Sequence, residues 1–230
     1  MVKTINFHCF YFSTYLIIIL ISFIISFIIF YKMLKKKYDK VEIAYIFAIN
    51  ILGFAIGSKL FHLIDSSKAI TISNFINSGY SFIGGLLGSA LLVSLYCKRY
   101  KINFADMEAH FMIIYPLIYA ISKLACFVNG CCNCIIQHFP LQILESILMF
   151  ILFAYLYNFH KRKQNCLLMG VFLMLFGTIR FVIDYFRYTR NEILLNLTLS
   201  QVVCIIAIVL GLYIINKKHG IKCQSLTELK

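Results

Sequence analysis

Charged residues are scarce in this chain: only 13% of its 230 residues are Asp, Glu, Lys or Arg, while 61% are hydrophobic and the mean hydropathy is +0.86. Soluble domains carry about 25% charged residues. This shortage excludes an ordinary soluble domain and predicts an all-α, polytopic integral membrane protein. The sequence also lacks the G-x-S-x-G, H-E-x-x-H, Walker and Rossmann patterns, so the soluble-enzyme chemistries that depend on them gain no support.

Seven apolar windows are long enough to cross a bilayer as helices. They cover approximately residues 12–31, 41–64, 81–97, 111–128, 141–158, 167–186 and 198–215. The first window has no small-residue cleavage site and is followed by a lysine cluster, so we interpret it as a retained helix rather than a signal peptide. We expect one transmembrane helical domain, residues 1–216, and a short basic cytoplasmic tail, residues 217–230.

Basic residues alternate between the two sides of the predicted spans. One set of loops, together with the C-terminus, holds 15 of the 22 Lys and Arg residues. These are Lys32, Lys35, Lys36, Lys37, Lys40, Lys98, Arg99, Lys101, Lys161, Arg162, Lys163, Lys217, Lys218, Lys222 and Lys230. The positive-inside rule therefore predicts an N-terminus outside and a cytoplasmic C-terminus. Because these short loops explain most of the net charge of +13, no nucleic acid partner is expected.

Three cations, Lys59, Lys123 and Arg180, lie inside the apolar windows. A charge within the bilayer costs a few kcal/mol or more, so such residues need a reason. Lys59 is interpreted as snorkelling to the interface through its apolar stem. Lys123 and Arg180 share a predicted depth of about 8 Å below the outer boundary, at 1.5 Å per residue. Two cations at this depth suit the phosphate of an anionic phospholipid.

Arg180 begins a helical face that also carries Asp184 and Arg187, at i, i+4 and i+7. A purely structural ion pair between Arg180 and Asp184 is one interpretation. The second cation on this face, Arg187, favours a binding site instead. Other polar residues gather toward the same predicted outer side, among them Tyr11, Asn129, Gln142, Glu145 and Gln201.

Two G-x-x-x-G patterns occur in the second and third windows. Gly53 and Gly57 form the first, and Gly84 and Gly88 form the second with Gly85 between them. Such spacing favours close helix packing in lipid. The second pattern starts at the predicted outer boundary, where bare backbone can also approach a lipid headgroup. Packing and headgroup binding both stay open for it.

Four cysteines, Cys126, Cys131, Cys132 and Cys134, cluster near the outer end of the fourth window. A zinc site would need ligands from a second element, and only His138 is close in sequence, so no metal site is predicted. A disulfide in an oxidising outer compartment and simple packing of the loop remain as alternatives.

Five segments taken together resemble the prolipoprotein diacylglyceryl transferase family. They are residues 81–88, 123–130, 140–145, 177–187 and 199–201, and their order and spacing match across roughly residues 8–215. The resemblance implies transfer of a diacylglyceryl group from phosphatidylglycerol to the lipobox cysteine of a prolipoprotein signal peptide. It also implies a bacterial cytoplasmic membrane, a site facing the outer leaflet among membrane lipids, and no metal or soluble cofactor.

By this resemblance, Arg180 would hold the lipid phosphate and stabilise the charge left on it as the carbon–oxygen bond breaks. Asp184 would orient Arg180, and Lys123 would supply a second catalytic cation. Substrate contacts are expected from Tyr11, Gly84, Gly85, Asn129, Gln142, Glu145, Arg187 and Gln201.

The chain departs from the family pattern at four positions. The family usually has His, Arg, Asn and Glu where this chain has Ile83, Lys123, Cys126 and Cys131. Loss of the His removes a proton acceptor for the incoming thiol, and Lys lacks the planar fork of Arg. Two other functions therefore stay open. One is a catalytically decayed relative that binds or moves anionic phospholipid, and the other is a membrane thiol oxidoreductase that uses the outer cysteines.

Overall fold

The structure is a computed structural model that describes residues 4–7, 10–66, 69, 71–130, 140–161, 165–186, 192–194 and 197–219. Within these residues, seven helices are long and apolar enough to span a membrane. The helices are α1 (Thr14–Leu34), α2 (Lys40–Asp65), a short α3 (Ile72–Asn77), α4 (Phe82–Tyr100), α5 (Phe104–Val128), α6 (Leu141–Lys161), α7 (Asn165–Asp184) and α8 (Leu199–His219). The prediction of an all-α polytopic membrane protein is confirmed.

Two short antiparallel hairpins are additions to the predicted helical fold. One pairs β1 (Thr4–Phe7) with β2 (Phe10–Ser13), directly before α1. The other pairs β3 (Glu192–Leu194) with β4 (Leu197–Thr198), directly before α8. Both therefore lie at the same end of the bundle, where α1 and α8 begin.

The fourth span begins earlier than residue 111, the predicted start. The side chain of Asn103 caps α5 by accepting a hydrogen bond from the Asp106 N–H at 3.2 Å. The next turns carry Glu108 and His110, which are only 1% and 5% exposed. Their polarity shortened the apolar window although their side chains pack inside the bundle.

α5 is the central helix of the fold. Its most apolar window is 67% buried, against 17% for the corresponding windows of α1 and α8, and it contacts α1, α4, α6 and α7. Its buried aromatic residues form much of the core, where Phe111 stacks on Phe30 at 4.4 Å between ring centroids. Tyr115 is bonded at its hydroxyl by Asn50 at 2.6 Å and Ser89 at 2.9 Å. α5 therefore runs through the core and continues with its last turns to the end of the bundle where α1 and α8 begin.

The G-x-x-x-G patterns bring α2 and α4 into backbone contact. A Cβ atom added at Gly57 would lie 2.4 Å from the Gly84 carbonyl oxygen, and one at Gly53 would lie 2.6 Å from that of Gly88. Only glycine permits this approach, which joins the helices along much of their length. The contact fixes the position of the last turns of α2 relative to the first turns of α4.

The two ends of the bundle differ in composition. We call the end where α2, α5 and α7 finish the site end, and the opposite end, which carries Lys32 to Lys40, the basic end. At the basic end, Lys37 pairs with Asp106 at 2.6 Å, and these side chains are 55% and 12% exposed. At the site end, polar side chains of several helices converge below the helix termini.

Candidate functional site

A cavity of about 610 Å³ lies at the site end, among α1, α2, α4, α5, α7 and the start of α8. This volume falls within the range of small-molecule binding pockets. Apolar residues of α1 and α2, including Phe23 and Phe54, line one part of it. Lys123, Arg180 and Asp184 line another part, so a single cavity offers both an apolar wall and a charged wall.

Glu145 joins the two cations that the sequence placed at one depth. Its Oε2 atom lies 2.6 Å from Lys123 Nζ, and its Oε1 atom lies 3.0 Å from Arg180 Nη1. The three side chains are 2%, 9% and 7% exposed, respectively. Buried charges require such pairing, because desolvation of a single ion is expensive. Lys123 and Arg180 also reach the cavity wall, so Glu145 of α6 holds them in place from the protein interior.

Tyr119 makes a second contact with Arg180. The Arg180 Nη1 atom donates a hydrogen bond of 2.7 Å to the Tyr119 hydroxyl. Lys123 Nζ lies 5.2 Å from the centroid of the same ring, one helical turn further along α5. Arg180 Nε, in contrast, is buried and has no hydrogen-bond partner among the residues that the structure describes. One donor of the guanidinium is thus unsatisfied within the described part of the chain.

Asp184 ties Arg180 to the beginning of α8. Its Oδ1 atom lies 3.8 Å from Arg180 Nη2, and its Oδ2 atom accepts a 2.6 Å hydrogen bond from Thr198 Oγ1. Thr198 and Gln201 form a capping box: the Gln201 N–H donates to Thr198 Oγ1, and the Thr198 N–H donates to Gln201 Oε1, both at 3.1 Å. The carboxylate that neighbours Arg180 is thus held by a helix cap.

Four of the other predicted site residues are not part of the cavity wall. Gly84 and Gly85 pack on Phe61 and Phe54 of α2, in the contact between α2 and α4. Asn129 ends α5 and donates from Nδ2 to its own helix, at the Ala125 carbonyl, at 2.9 Å. Gln142 is half-buried in the first turn of α6. Their proposed substrate contacts remain predictions.

Several residues named from the sequence fall outside the described part of the chain. They are Arg187, Cys131, Cys132, Cys134, His138 and the side chain of Tyr11. Three of the four positions that depart from the family pattern are described, and all three line the cavity: Lys123, discussed above, Ile83 and Cys126. Ile83 is 6% exposed, and Cys126 is half-buried.

Sequence reasoning missed Tyr119 and Thr198 and placed His62 on the outer side without a role, and all three line the cavity. Tyr119 lies four residues before Lys123, a spacing that places two side chains on one helix face. Thr198 begins a T-x-x-Q capping pattern that could have been read from the sequence. His62 lies three residues after Lys59 in its window, and no pattern in the sequence joins it to Lys123 or Arg180.

Seven membrane-length helices around a cavity with a buried, paired cation cluster define a multi-pass membrane protein with an internal cavity that has one apolar wall and one charged wall. The family model for prolipoprotein diacylglyceryl transferase matches residues 3–216. The chain therefore belongs to the prolipoprotein diacylglyceryl transferase family.

Similar proteins carry the name phosphatidylglycerol–prolipoprotein diacylglyceryl transferase. That of Rickettsia rickettsii (strain Sheila Smith) is 27% identical over 220 residues, covering 83% of this chain and 82% of the relative. That of Clostridium tetani is 23% identical over 206 residues, covering 79% and 83%. That of Rickettsia bellii (strain OSU 85-389) is 26% identical over 208 residues, covering 77% and 78%. The similarity therefore extends over most of each relative.

Proposed function

We propose that the protein transfers the diacylglyceryl group of phosphatidylglycerol to the lipobox cysteine thiol of a bacterial prolipoprotein and releases glycerol phosphate. The thiol sulfur forms a bond to the glyceryl carbon, the carbon–oxygen bond to the phosphate breaks, and the electron pair stays with the phosphate oxygen. The observation that carries this proposal is the pair of buried cations, Lys123 and Arg180, on the wall of one cavity and fixed by Glu145.

Arg180 is the proposed phosphate ligand. It lines the cavity, and its guanidinium is held by Tyr119 and Glu145, so it would present a preorganised cation to an oxyanion. The described cluster holds two cations and two carboxylates, so it is formally neutral and stable in a low-dielectric interior. An incoming phosphate would gain most from the donors that these internal pairs leave unused.

The apolar wall of the cavity suits the rest of the lipid. Phe23 and Phe54 line it below the charged wall, so acyl chains and phosphate would each meet matching chemistry. The positive-inside rule places the basic end in the cytoplasm. The site end would then face the outer leaflet of the bacterial cytoplasmic membrane, where a prolipoprotein signal peptide and membrane lipids are within reach. The Lys123 side chain would assist Arg180 as a second cation.

Transfer of labelled diacylglycerol from phosphatidylglycerol to a lipobox peptide tests this function directly. The purified protein should transfer the label, and Arg180→Ala should abolish transfer while the basic-end variant Lys98→Ala retains it. Unchanged transfer by Arg180→Ala would contradict the mechanism. Tight lipid binding without any product by the unsubstituted protein would contradict the enzyme.

Ile83 favours the second function, a lipid-binding or lipid-moving relative without catalysis. It occupies the cavity wall with an apolar side chain at the position where the family resemblance expects a His. Flotation with vesicles that contain phosphatidylglycerol, compared with vesicles of a zwitterionic lipid, would measure this binding. Preference for the anionic vesicles without transfer would favour it.

The proposed orientation has its own test. A tag placed after Lys230 should be protected from an impermeant reagent in intact cells, because the C-terminus is expected in the cytoplasm. External labelling of this tag would place the site end on the cytoplasmic side and contradict the outer-leaflet proposal.

A further inference from the structure

A thiol is a weak nucleophile until it loses its proton, because the thiolate is the reactive species. The charged residues already described are poor proton acceptors. Lys123 and Arg180 are cations, and Glu145 is already paired with both. Asp184 accepts a hydrogen bond from Thr198 beside Arg180. A neutral base elsewhere on the cavity wall would raise the thiolate fraction at neutral pH, where a free thiol is mostly protonated.

His62 is a neutral side chain of this kind. Its position is fixed by the end of α2 and by the segment that leads to α4. It lies in the last turn of α2 and lines the same cavity as Lys123 and Arg180. The Ser66 N–H donates to its carbonyl oxygen at 3.0 Å, which closes the helix there. Its ring packs on Gly79, where an added Cβ atom would lie 2.7 Å from Nε2. The helix end and the glycine together determine where the imidazole sits.

The Nδ1 atom of His62 is buried and has no hydrogen-bond partner among the described residues. An unpaired buried nitrogen costs free energy, so a residue of this kind on a cavity wall is a candidate for contact with a ligand. Catalytic hydrogen bonds often form only when the substrate is bound. A neutral imidazole is also the side chain best suited to accept a proton near neutral pH.

We propose that His62 is the proton acceptor for the incoming thiol, an inference that rests on the proposed transferase function. The S–H proton passes to the imidazole as the sulfur–carbon bond forms and the carbon–oxygen bond to phosphate breaks. The imidazolium then returns the proton to the released glycerol phosphate or to water. This assigns a catalytic role to α2, which carries none of the catalytic or substrate-binding residues predicted from the sequence.

Other titratable groups share the cavity with His62 and belong to α1, α2, α5, α7 and the segment before α4. They are Tyr15, Asp65, Tyr80, Tyr119, Lys123, Cys126, Arg180 and Asp184. Asp65, about one turn from His62 on the same helix, also lines the cavity and is the competing acceptor. It already takes part in an interaction, whereas the Nδ1 atom of His62 has no hydrogen bond within the described part of the chain.

The test measures kcat/KM for transfer to a lipobox peptide as a function of pH, with His62→Gln, Asp65→Asn and the unsubstituted protein in phosphatidylglycerol vesicles. His62→Gln should lower transfer by about 10²–10⁴-fold at neutral pH, the usual effect of losing a general base. The loss should shrink as the pH approaches about 8.5, where a free thiol ionises without help. His110→Gln, a buried histidine at the basic end, is the matched control and should transfer normally.

The outcomes separate this inference from the proposed function. Equal transfer by His62→Gln and the unsubstituted protein would overturn the role of His62 alone, as would a loss that is the same at every pH. A larger, pH-dependent loss in Asp65→Asn would assign the role to Asp65. No transfer by the unsubstituted protein would overturn both proposals. If His62→Gln does not fold, Gly79→Ala displaces the ring and should show the same pH-dependent loss.

Discussion

The two ends of the bundle use ion pairs in different ways. At the basic end, Lys37 and Asp106 meet at 2.6 Å, yet the lysine side chain is 55% exposed. At the site end, Lys123 and Glu145 also meet at 2.6 Å, but both side chains are almost completely buried. The two pairs therefore differ in interaction energy although their distances are equal. Water and ions screen the first pair, but they reach the second only through the cavity.

This comparison indicates what each pair does for the protein. An exposed pair contributes little to stability, whereas a buried pair becomes strongly destabilising when one partner is removed. A buried cluster on a cavity wall is thus stable only while its partners remain in place. This constraint is useful in a binding site, because it fixes the cations before the ligand arrives.

Removal of Glu145 should produce the largest effect. Glu145→Ala leaves Lys123 and Arg180 buried without their shared partner, so the free energy of unfolding should fall by about 3–5 kcal/mol. Unfolding of the purified protein in mixed detergent micelles measures this change. Glu145→Gln removes the charge but keeps hydrogen-bonding atoms, and should lose less. Unchanged unfolding of both variants would contradict the comparison between the two ends.

Tyr119→Phe should have the next largest effect, and it separates transfer activity from stability when it is compared with a second tyrosine of the same helix. It removes one hydrogen bond to a charged group, worth about 1.5–3 kcal/mol, so transfer should fall by about tenfold or more. Tyr115→Phe on the same helix is the control, because Tyr115 bonds Asn50 and Ser89 away from the cavity. It should lower stability and leave transfer intact. Equal transfer defects in both variants would argue against a specific role for Tyr119.

Thr198→Val should have a moderate effect. It removes the cap of α8 and the hydrogen bond to Asp184, and loss of an N-cap costs about 1 kcal/mol. Thr198→Ser keeps the hydroxyl and should behave like the unsubstituted protein. Thermal unfolding in detergent, together with transfer assays, measures both consequences. A stable, fully active Thr198→Val variant would show that the cap does not orient Asp184.

Lys37→Ala should have the smallest effect, at most about 1 kcal/mol. Burial alone would lower the pKa of Lys37, but the hydrogen bond and the charge of Asp106 outweigh it and raise the pKa above 10.5. The pair therefore contributes fully below the ordinary lysine pKa, and this contribution is lost as the pH rises through the raised value. Unfolding at neutral and at strongly alkaline pH measures this. A loss of unfolding free energy as large as that of Glu145→Ala would contradict the proposed difference between the exposed pair at the basic end and the buried pair at the site end.

Much of the membrane architecture could be predicted from local sequence. Apolar runs of sufficient length identify spans, because a bilayer core demands about 20 apolar residues of any helix that crosses it. The start of α5 was missed because Glu108 and His110 interrupt the apolar pattern although both are buried. Local hydropathy cannot detect that a polar side chain is enclosed by neighbouring helices.

Residues of the site were only partly predictable. Lys123 and Arg180 stood out as cations in apolar windows, and the structure brings both to Glu145. The bridging position of Glu145 was hidden, because in sequence it is one of several polar residues near a span end. Tyr119 was also hidden, because an aromatic residue within an apolar helix gives no signal in the sequence. Only the structure shows that its hydroxyl accepts a hydrogen bond from Arg180.

The sequence by itself determined the class of protein, the number of spans and the family, since composition, period and motif order are properties of the chain alone. The tertiary structure decided which charges pair and which side chains share a cavity. Arg180 meets Glu145 across 35 positions and Tyr119 across 61. Such contacts depend on helix packing, here set by backbone contact between α2 and α4 and by the central place of α5, which no local pattern specifies.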